Sequence, residues 1–473
     1  MRTPMDVIPA GVSVLADAVE AGSCYETTAP FEATVMHYYR MPYTGGEKVR
    51  IPRGLVFEVD SDIIEDAAAV YAWPVPPDAW EEVFAADVKD DFKYNGYSLV
   101  IAKDDILNRC TASEKTPVPP QALTRYNAFA GCIWGTAVGD ALGLPFEGMS
   151  PRRIAKLSGA RLSQRLLWCY GMLSDDSEHT CLAAQALIIS DGEPYSFQRD
   201  LAWRLRWWFL ALPAGIGLGT LRALLKLWLG AAPANSGVNS AGNGPMMRSA
   251  VLGVYLGRQP EQLKQLVQIN TRITHTDPRA ERAAQIVARA AWCNANRISV
   301  TPATVAEQLR EWLQQDEELA AVVTEAAQSA KTGESALEFC RRQNMKNGVS
   351  GYCYQTLKVV LQIWLRHPLN YEAGISEAIR CGGDTDTVAA ILGGIIGAGC
   401  GPEGIPHDWK DRIRDWPRTR AWIDAVIRQL AWTDLSGLPR RPRALPLPFT
   451  LTRNLLFMIL VLTHGFRRLL PPY

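Results

Sequence analysis

The chain has no excess of either charge: Lys+Arg and Asp+Glu each number 49 among 473 residues. A formal net charge of zero removes the usual electrostatic footprint of a partner to nucleic acid or to an anionic membrane. No CxxC pair occurs, nor any Cys/His spacing suited to zinc. The 10 cysteines are scattered from Cys24 to Cys400, mostly in apolar, helix-like surroundings. There they behave as small hydrophobes, which favours a reducing, cytoplasmic setting over a disulfide scaffold. The opening Met1-Arg-Thr-Pro-Met-Asp6 lacks the basic-then-apolar order of a signal peptide. The apolar run Leu455–Leu462 is far short of the roughly 20 residues a membrane span needs. A packed or docking helix is the expectation there.

What the chain has instead is length and helical periodicity. At 473 residues it is long enough for a large core and two domains. Residues 1–112 carry short alternating runs of β-branched and aromatic residues: Ala33–Tyr39, Lys48–Ile51, Gly54–Asp60 and Tyr97–Ala102. Turn signals such as Thr44-Gly-Gly46 and Asn95-Gly96 lie between them. A small α+β, β-rich module is expected, with short helices over Asp62–Val70 and Asp78–Ala86. Pro117, Pro119 and Pro120 mark a linker over 113–123. From Thr124 the apolar period turns helical and stays so, which predicts an all-α domain over 124–435. A Pro-rich and apolar tail, 436–473, follows. Trp203, Trp207 and Trp208 share helical spacing, and core or interface packing is the expectation for them.

Two acidic clusters stand at helix starts. Ser174-Asp-Asp-Ser-Glu-His179 leads into the apolar Cys181–Ile189, and Gly382-Gly-Asp384-Thr-Asp386-Thr387 leads into the small-residue run Val388–Cys400. Either one alone reads as a capped helix. Capping needs only one carboxylate, and each cluster has two. Ser174, Asp175 and Asp176 offer the same hydroxyl and carboxylate oxygens as Asp384, Asp386 and Thr387, the hard donors that Mg²⁺ takes. Two such clusters facing each other would hold two divalent cations and clamp a substrate's hydroxyls.

Other segments fit around them. Gly131, Gly135, Gly139 and Gly143 recur every four residues and predict a smooth helix face for close approach. Asp140 on that face needs a partner if buried. Glu147, after Pro145, falls on a loop where a mobile carboxylate serves as base or lid. Asn235–Arg248 is a Gly/Asn/Ser loop entering a helix, with Gly242, Asn243 and Gly244 a candidate phosphate cradle. His275 precedes a helix that opens on Pro278, and Ser350-Gly351-Tyr352 leads into another.

Taken in order, Gly139-Asp-Ala-Leu-Gly143 with Glu147, Ser174-Asp-Asp-Ser177, Gly242-Asn-Gly-Pro-Met-Met-Arg248, Thr274-His-Thr-Asp277, Gly351-Tyr352 with Thr356-Leu357, and Gly382-Gly-Asp-Thr-Asp-Thr387 resemble the ADP-ribosylglycohydrolases. These are the dinitrogenase-reductase-activating and ADP-ribosylarginine hydrolase group, and the resemblance covers roughly residues 124–430. It implies an all-α fold with two Mg²⁺ ions in a cleft, held by Ser174, Asp175, Asp176, Asp384, Asp386 and Thr387. It implies catalytic roles for Glu147, Asp175 and Asp176. Asp140, Gly242, Asn243, Gly244, His275, Ser350, Gly351 and Tyr352 would then border the ADP-ribose. The implied substrates are ADP-ribosylated proteins, with hydrolysis of the N-glycosidic bond to arginine.

One departure bears on the linkage. Relatives acting on arginine often carry Asp just before the Ile216-Gly217 pair, and here the residue is Gly215. The added N-terminal module resembles the layout of bacterial immunity hydrolases paired with secreted ADP-ribosyltransferase toxins, including those delivered by type VI secretion. A housekeeping hydrolase with a docking domain, a hydrolase for another linkage, and an inactive ADP-ribose-binding relative are the alternatives. The four retained aspartates speak against the last.

Overall fold

The computed structural model describes residues 120–309, 312 and 316–467, together with strand segments between Cys24 and Ala112. The chain divides into two compact units, Met1–Leu123 with Leu438–Arg441, and Thr124–Gly437 with Pro442–Tyr473.

Among the described residues of the first unit, seven strands form one sheet: β1 (Cys24–Thr27), β2 (Phe31–His37), β3 (Glu47–Ile51), β4 (Val56–Val59), β5 (Ala69–Pro74), β6 (Tyr97–Ala102) and β7 (Cys110–Ala112). Their order is β3-β2-β6-β5-β4-β1-β7, and every pairing is antiparallel. The register sets Thr34 opposite Val100 and Tyr25 opposite Phe57. The runs are rich in residues that suit a pleated surface. The helices expected over 62–68 and 78–86 lie outside the described residues; Ala69 and Val70 belong to β5.

The second unit is helical. Its opening helix, Pro120–Gly143, takes in the last residues of the expected linker; 113–119 lie outside the described residues. Residues 244–256 form two short helices, Gly244–Met247 and Ala250–Leu256. The break falls at Arg248, whose buried guanidinium donates to Asn270 Oδ1 at 2.7 Å, Asn270 O at 2.8 Å and Thr274 Oγ1 at 2.7 Å.

At the centre lies the glycine-rich helix Thr385–Cys400, in which every residue but Thr387 and Cys400 is buried. A helix apolar on all sides belongs inside a core. The helices Pro278–Ala295, Cys353–Arg366 and Tyr371–Arg380 pack around it. The opening helix meets it in antiparallel fashion, backbone to backbone. A Cβ at Gly131 would stand 2.0 Å from Gly397 O, at Gly135 2.2 Å from Gly393 O, at Gly139 2.2 Å from Ala389 O, and at Gly143 2.5 Å from Thr385 O. The four-residue glycine spacing therefore serves this one contact. Thr385 Oγ1 closes its end by donating to Gly143 O at 2.8 Å.

The tail forms one helix, Leu447–Arg467. Its stretch Leu447–Phe466 has mean hydropathy 1.3 and, by length and composition, is long enough to cross a membrane. That length exceeds the short apolar run seen in the sequence, although composition alone does not establish a span. The helix buries its polar residues Arg453 and Asn454 along with Phe457, and exposes Leu455, Leu456, Ile459 and Phe466. Asn454 Nδ2 donates to Ala211 O at 2.8 Å, and Phe457 joins Leu144, Leu166 and Ala214 in a small apolar cluster. Trp208 is buried, whereas Trp203 and Trp207 are exposed and stack edge-on with centroids 5.6 Å apart.

Candidate active site

The first acidic turn starts the helix Asp175–Ser190. Ser174 is its N-cap: its Oγ accepts from Asp176 N at 3.3 Å. Asp140 meets the turn from the opening helix. Its Oδ2 accepts from Ser174 N at 2.8 Å, from Ser177 N at 3.2 Å and from Ser177 Oγ. The sequence demanded a partner for a buried Asp140, and this turn supplies it. Leu173, just before Ser174, donates its N–H to Asp415 Oδ2 at 3.0 Å.

The second turn starts the glycine-rich helix. Gly382 and Gly383 adopt φ of +72° and +80°, a conformation costly for residues with a side chain. They thread between two loops. Gly383 N donates to Met149 O at 2.9 Å, and Gly148 N to Gly383 O at 2.7 Å. Val349 N donates to Gly382 O at 2.9 Å, and Asp384 N to Val349 O at 2.8 Å.

The two turns meet. Thr387 Oγ1 donates to Asp176 Oδ2 at 3.2 Å, and Ser174 Oγ lies 3.3 Å from the same oxygen. Asp384 Oδ2 accepts from Asn243 Nδ2 at 2.7 Å, and that amide also donates to Thr356 Oγ1 at 3.0 Å. Asn243, expected at the phosphate, is thus tied to a carboxylate of the acidic cluster.

Burial, then mutual repulsion, sets the electrostatics. Asp140 is pushed up to about 6 by burial, against the hydrogen bonds of Ser177 and Ser174. Asp175 is raised by burial and by Asp140, Glu178 and Glu147; Asp176 by burial and by Asp175, Asp140 and Asp384. Asp386 is raised by burial and by Glu147, Asp384, Asp176 and Asp140. Among the described residues, no group of three or more His, Cys, Asp or Glu side chains stands ready as a metal site. The donor set here is mixed, with hydroxyls beside the carboxylates. Buried Asp176 Oδ1 and Asp386 Oδ1 have no hydrogen-bond partner. Clustered buried carboxylates with unpartnered oxygens are the chemistry a hard cation satisfies, and its charge would reverse these shifts.

The remaining candidates surround this centre. Glu147 is half-buried and ends the short turn Leu144–Phe146. His275 lies under the glycine loop: a Cβ at Gly242 would stand 3.0 Å from its Nε2, and one at Gly244 3.2 Å from its Cε1. Burial, then Arg248, lowers its pKa to about 3, so the ring is neutral. Gly242 bridges to Tyr352, and Asn243 N donates to Gly351 O at 3.0 Å, so the loop and the Ser350–Tyr352 segment form one wall. Ser350 Oγ donates to Gln355 Oε1 at 2.6 Å, and Tyr352 Oη to Glu318 Oε1 at 2.7 Å. Gly215 has φ +81°, and a Cβ there would be 3.8 Å from Asp175 Oδ1. The residue that departs from the arginine-type pattern therefore borders the acidic centre. Arg418 and Arg453, which pair with Glu178 beneath the first turn, escaped the sequence reading. A signal existed for Arg453, since an Arg-Asn pair at the head of an apolar run asks for buried partners.

The helical unit thus brings two carboxylate-bearing helix starts together in one acidic centre. The chain matches the ADP-ribosylglycohydrolase family over residues 121–439 and belongs to it. It is 23% identical to the ADP-ribosyl-[dinitrogen reductase] glycohydrolase of Rhodospirillum rubrum, over 63% of this chain and 94% of that protein. It is 24% identical to the ADP-ribosylhydrolase ARH3 of Gallus gallus, over 67% and 95%. A solved ADP-ribosylglycohydrolase-related protein complex shares 26% identity with a TM-score of 0.44, covering 66% of this chain and 99% of that one.

Proposed function

We propose that the chain removes ADP-ribose from modified arginine side chains by hydrolysing the bond at ribose C1″. The observation that carries this is the junction of the two acidic turns at Asp176, with Thr387 and Ser174 on one carboxylate and unpartnered oxygens on Asp176 and Asp386. Ser174, Asp175, Asp176, Asp384, Asp386 and Thr387 would hold two Mg²⁺ ions; when bound, these would engage the ribose 2″ and 3″ hydroxyls and orient a water. Asp175 is less deeply buried than Asp176, and Glu147 shares that partial exposure; Asp175, Asp176 or Glu147 moves the proton as the C1″ bond breaks. The same carboxylates favour the positive charge that develops on the ribose. His275, neutral at physiological pH, binds the pyrophosphate side as a hydrogen-bonding group rather than as a cation.

A second reading, hydrolysis of another ADP-ribosyl linkage, is favoured by Gly215, which puts no carboxylate of its own at a position where a Cβ would lie 3.8 Å from Asp175 Oδ1. One assay separates the two: ADP-ribose release from arginine-modified and from serine-modified protein, with and without Mg²⁺. The arginine reading expects Mg²⁺-dependent release from the first substrate and its abolition in Asp384→Ala and Asp175→Ala. Turnover retained in either variant sinks the site assignment.

For the N-terminal unit the proposal is a toxin-binding module of an immunity hydrolase. Its support is the extra length ahead of the family region. Capture of a transferase toxin by the full chain, lost when residues 1–119 are deleted, is the expected result. A cytoplasmic setting is proposed as well; its support is that the cysteines from Cys132 to Cys400 are free thiols.

A further inference from the structure

We infer that Arg453, on the tail helix and beyond the 121–439 stretch that matches the family, is a positioning residue for the Ser174–Asp176 turn. The inference rests on the two-ion site proposed above. Arg453 is buried. Its Nη2 donates to Leu173 O at 2.5 Å, the carbonyl directly before Ser174. Its Nη1 lies 3.3 Å from Glu178 Oε1, just past the turn. Nε and Nη2 together hold Asp415, and Asp415 Oδ2 in turn accepts from Leu173 N.

One guanidinium therefore grips the main chain ahead of the acidic turn and a side chain behind it. Glu178 is held from other sides as well: Trp208 Nε1 donates to its Oε2, and Arg418 Nη1 lies 2.8 Å from its Oε1. A planar fork can set several partners at fixed angles; an ammonium group on a flexible stem cannot. None of these hydrogen bonds or ion pairs is made to Asp175 or Asp176, although the charge of Glu178 is felt at Asp175. The network acts by fixing where the backbone places them relative to Asp384 and Asp386. Partners one shell away from metal ligands characteristically alter ion affinity or activity about 10–100-fold when removed.

The test compares the full-length wild type with Arg453→Met, Arg453→Lys and His464→Ala. His464 is another anchor of the tail helix; its Nε2 bonds Leu166 O at 2.6 Å, away from Leu173 and Glu178. The readouts are the rise in melting temperature on adding Mg²⁺ and the Mg²⁺ concentration giving half-maximal ADP-ribose release. Arg453→Met is expected to need roughly 10–100-fold more Mg²⁺ in both, with little change in KM for the modified protein. Arg453→Lys recovers only part of this, and His464→Ala keeps the wild-type Mg²⁺ dependence. A folded Arg453→Met with unchanged Mg²⁺ dependence overturns the inference. If that variant does not fold, Glu178→Gln weakens the same grip while leaving the Leu173 bond, and an unchanged Mg²⁺ requirement there overturns it equally. A wild-type chain that neither responds to Mg²⁺ nor releases ADP-ribose overturns the two-ion reading instead.

Discussion

The two acidic turns carry matching oxygen chemistry, yet they are held in opposite ways. The Ser174–Asp176 turn is fixed by side chains: Asp140 on its N–H groups, and Arg453 with Asp415 at Leu173. The Asp384–Thr387 turn is fixed by backbone. Two left-handed glycines weave it between residues 148–149 and 349, and its helix lies flush on a second glycine face. A turn built on charge tolerates small shifts and is tuned by its partners. A turn built on glycine has no room to give, and any added atom is met by main chain.

Breaking the glycine face should have the largest effect. At Gly397 a Cβ would stand 2.0 Å from Gly131 O, so Gly397→Leu forces the two helices apart at a cost of about 3 kcal/mol or more. The expected outcome is loss of soluble, cooperatively melting protein; a wild-type melting curve would contradict the close-contact account.

A smaller effect distinguishes two glycines of similar φ. Gly383→Ala places its Cβ 2.0 Å from Val349 O, whereas Gly215→Ala meets nothing nearer than Asp175 Oδ1 at 3.8 Å. Both pay about 1–2 kcal/mol for a left-handed alanine. Only Gly383→Ala should also displace Asp384 and lose ADP-ribose release. Equal activity in the two variants would show that the backbone weave does not set the site.

The smallest effect concerns pH. Asp140 rises from 3.8 to about 6 through burial, and Asp175, Asp176 and Asp386 rise for the same first cause. A carboxylate with a raised folded pKa binds more protons in the native state than in the unfolded one. Its stability contribution is therefore lost as pH climbs through that window. His179 and His275, whose pKa values are lowered, act in the opposite direction below about 6.5, the ordinary value. Their effect cancels when melts with Mg²⁺ are compared with melts in chelator at the same pH. The gain from Mg²⁺ should be small at pH 5 and larger at pH 7, and a flat gain would show that the carboxylate cluster does not bind the ion.

Much of this was legible in the sequence because it is local or periodic. The acidic turns, the glycines four apart and the helical period each announce themselves within a few residues, and Asp140 asked for a partner simply by sitting in an apolar pattern. The rest depends on contacts between distant segments. Nothing near Asn243 says that its amide will reach Asp384, 141 residues on. Nothing near Gly215 says that it will border Asp175. The length of the tail helix was missed because Arg453 and Asn454 interrupt its apolar run, and they do so because they are turned inward.

The Arg453 grip spans 280 residues of chain, from Leu173 to its partner. Contacts of such sequence separation close late, since the loop entropy comes due before the contact repays it. In a chain made from its N-terminus, Glu178 and the two aspartates beside it emerge early and wait for Arg418 and then Arg453. The last support of the Ser174–Asp176 turn thus waits for the tail helix, and a chain truncated before Arg453 is expected to carry the motif in its sequence while needing more Mg²⁺ to use it.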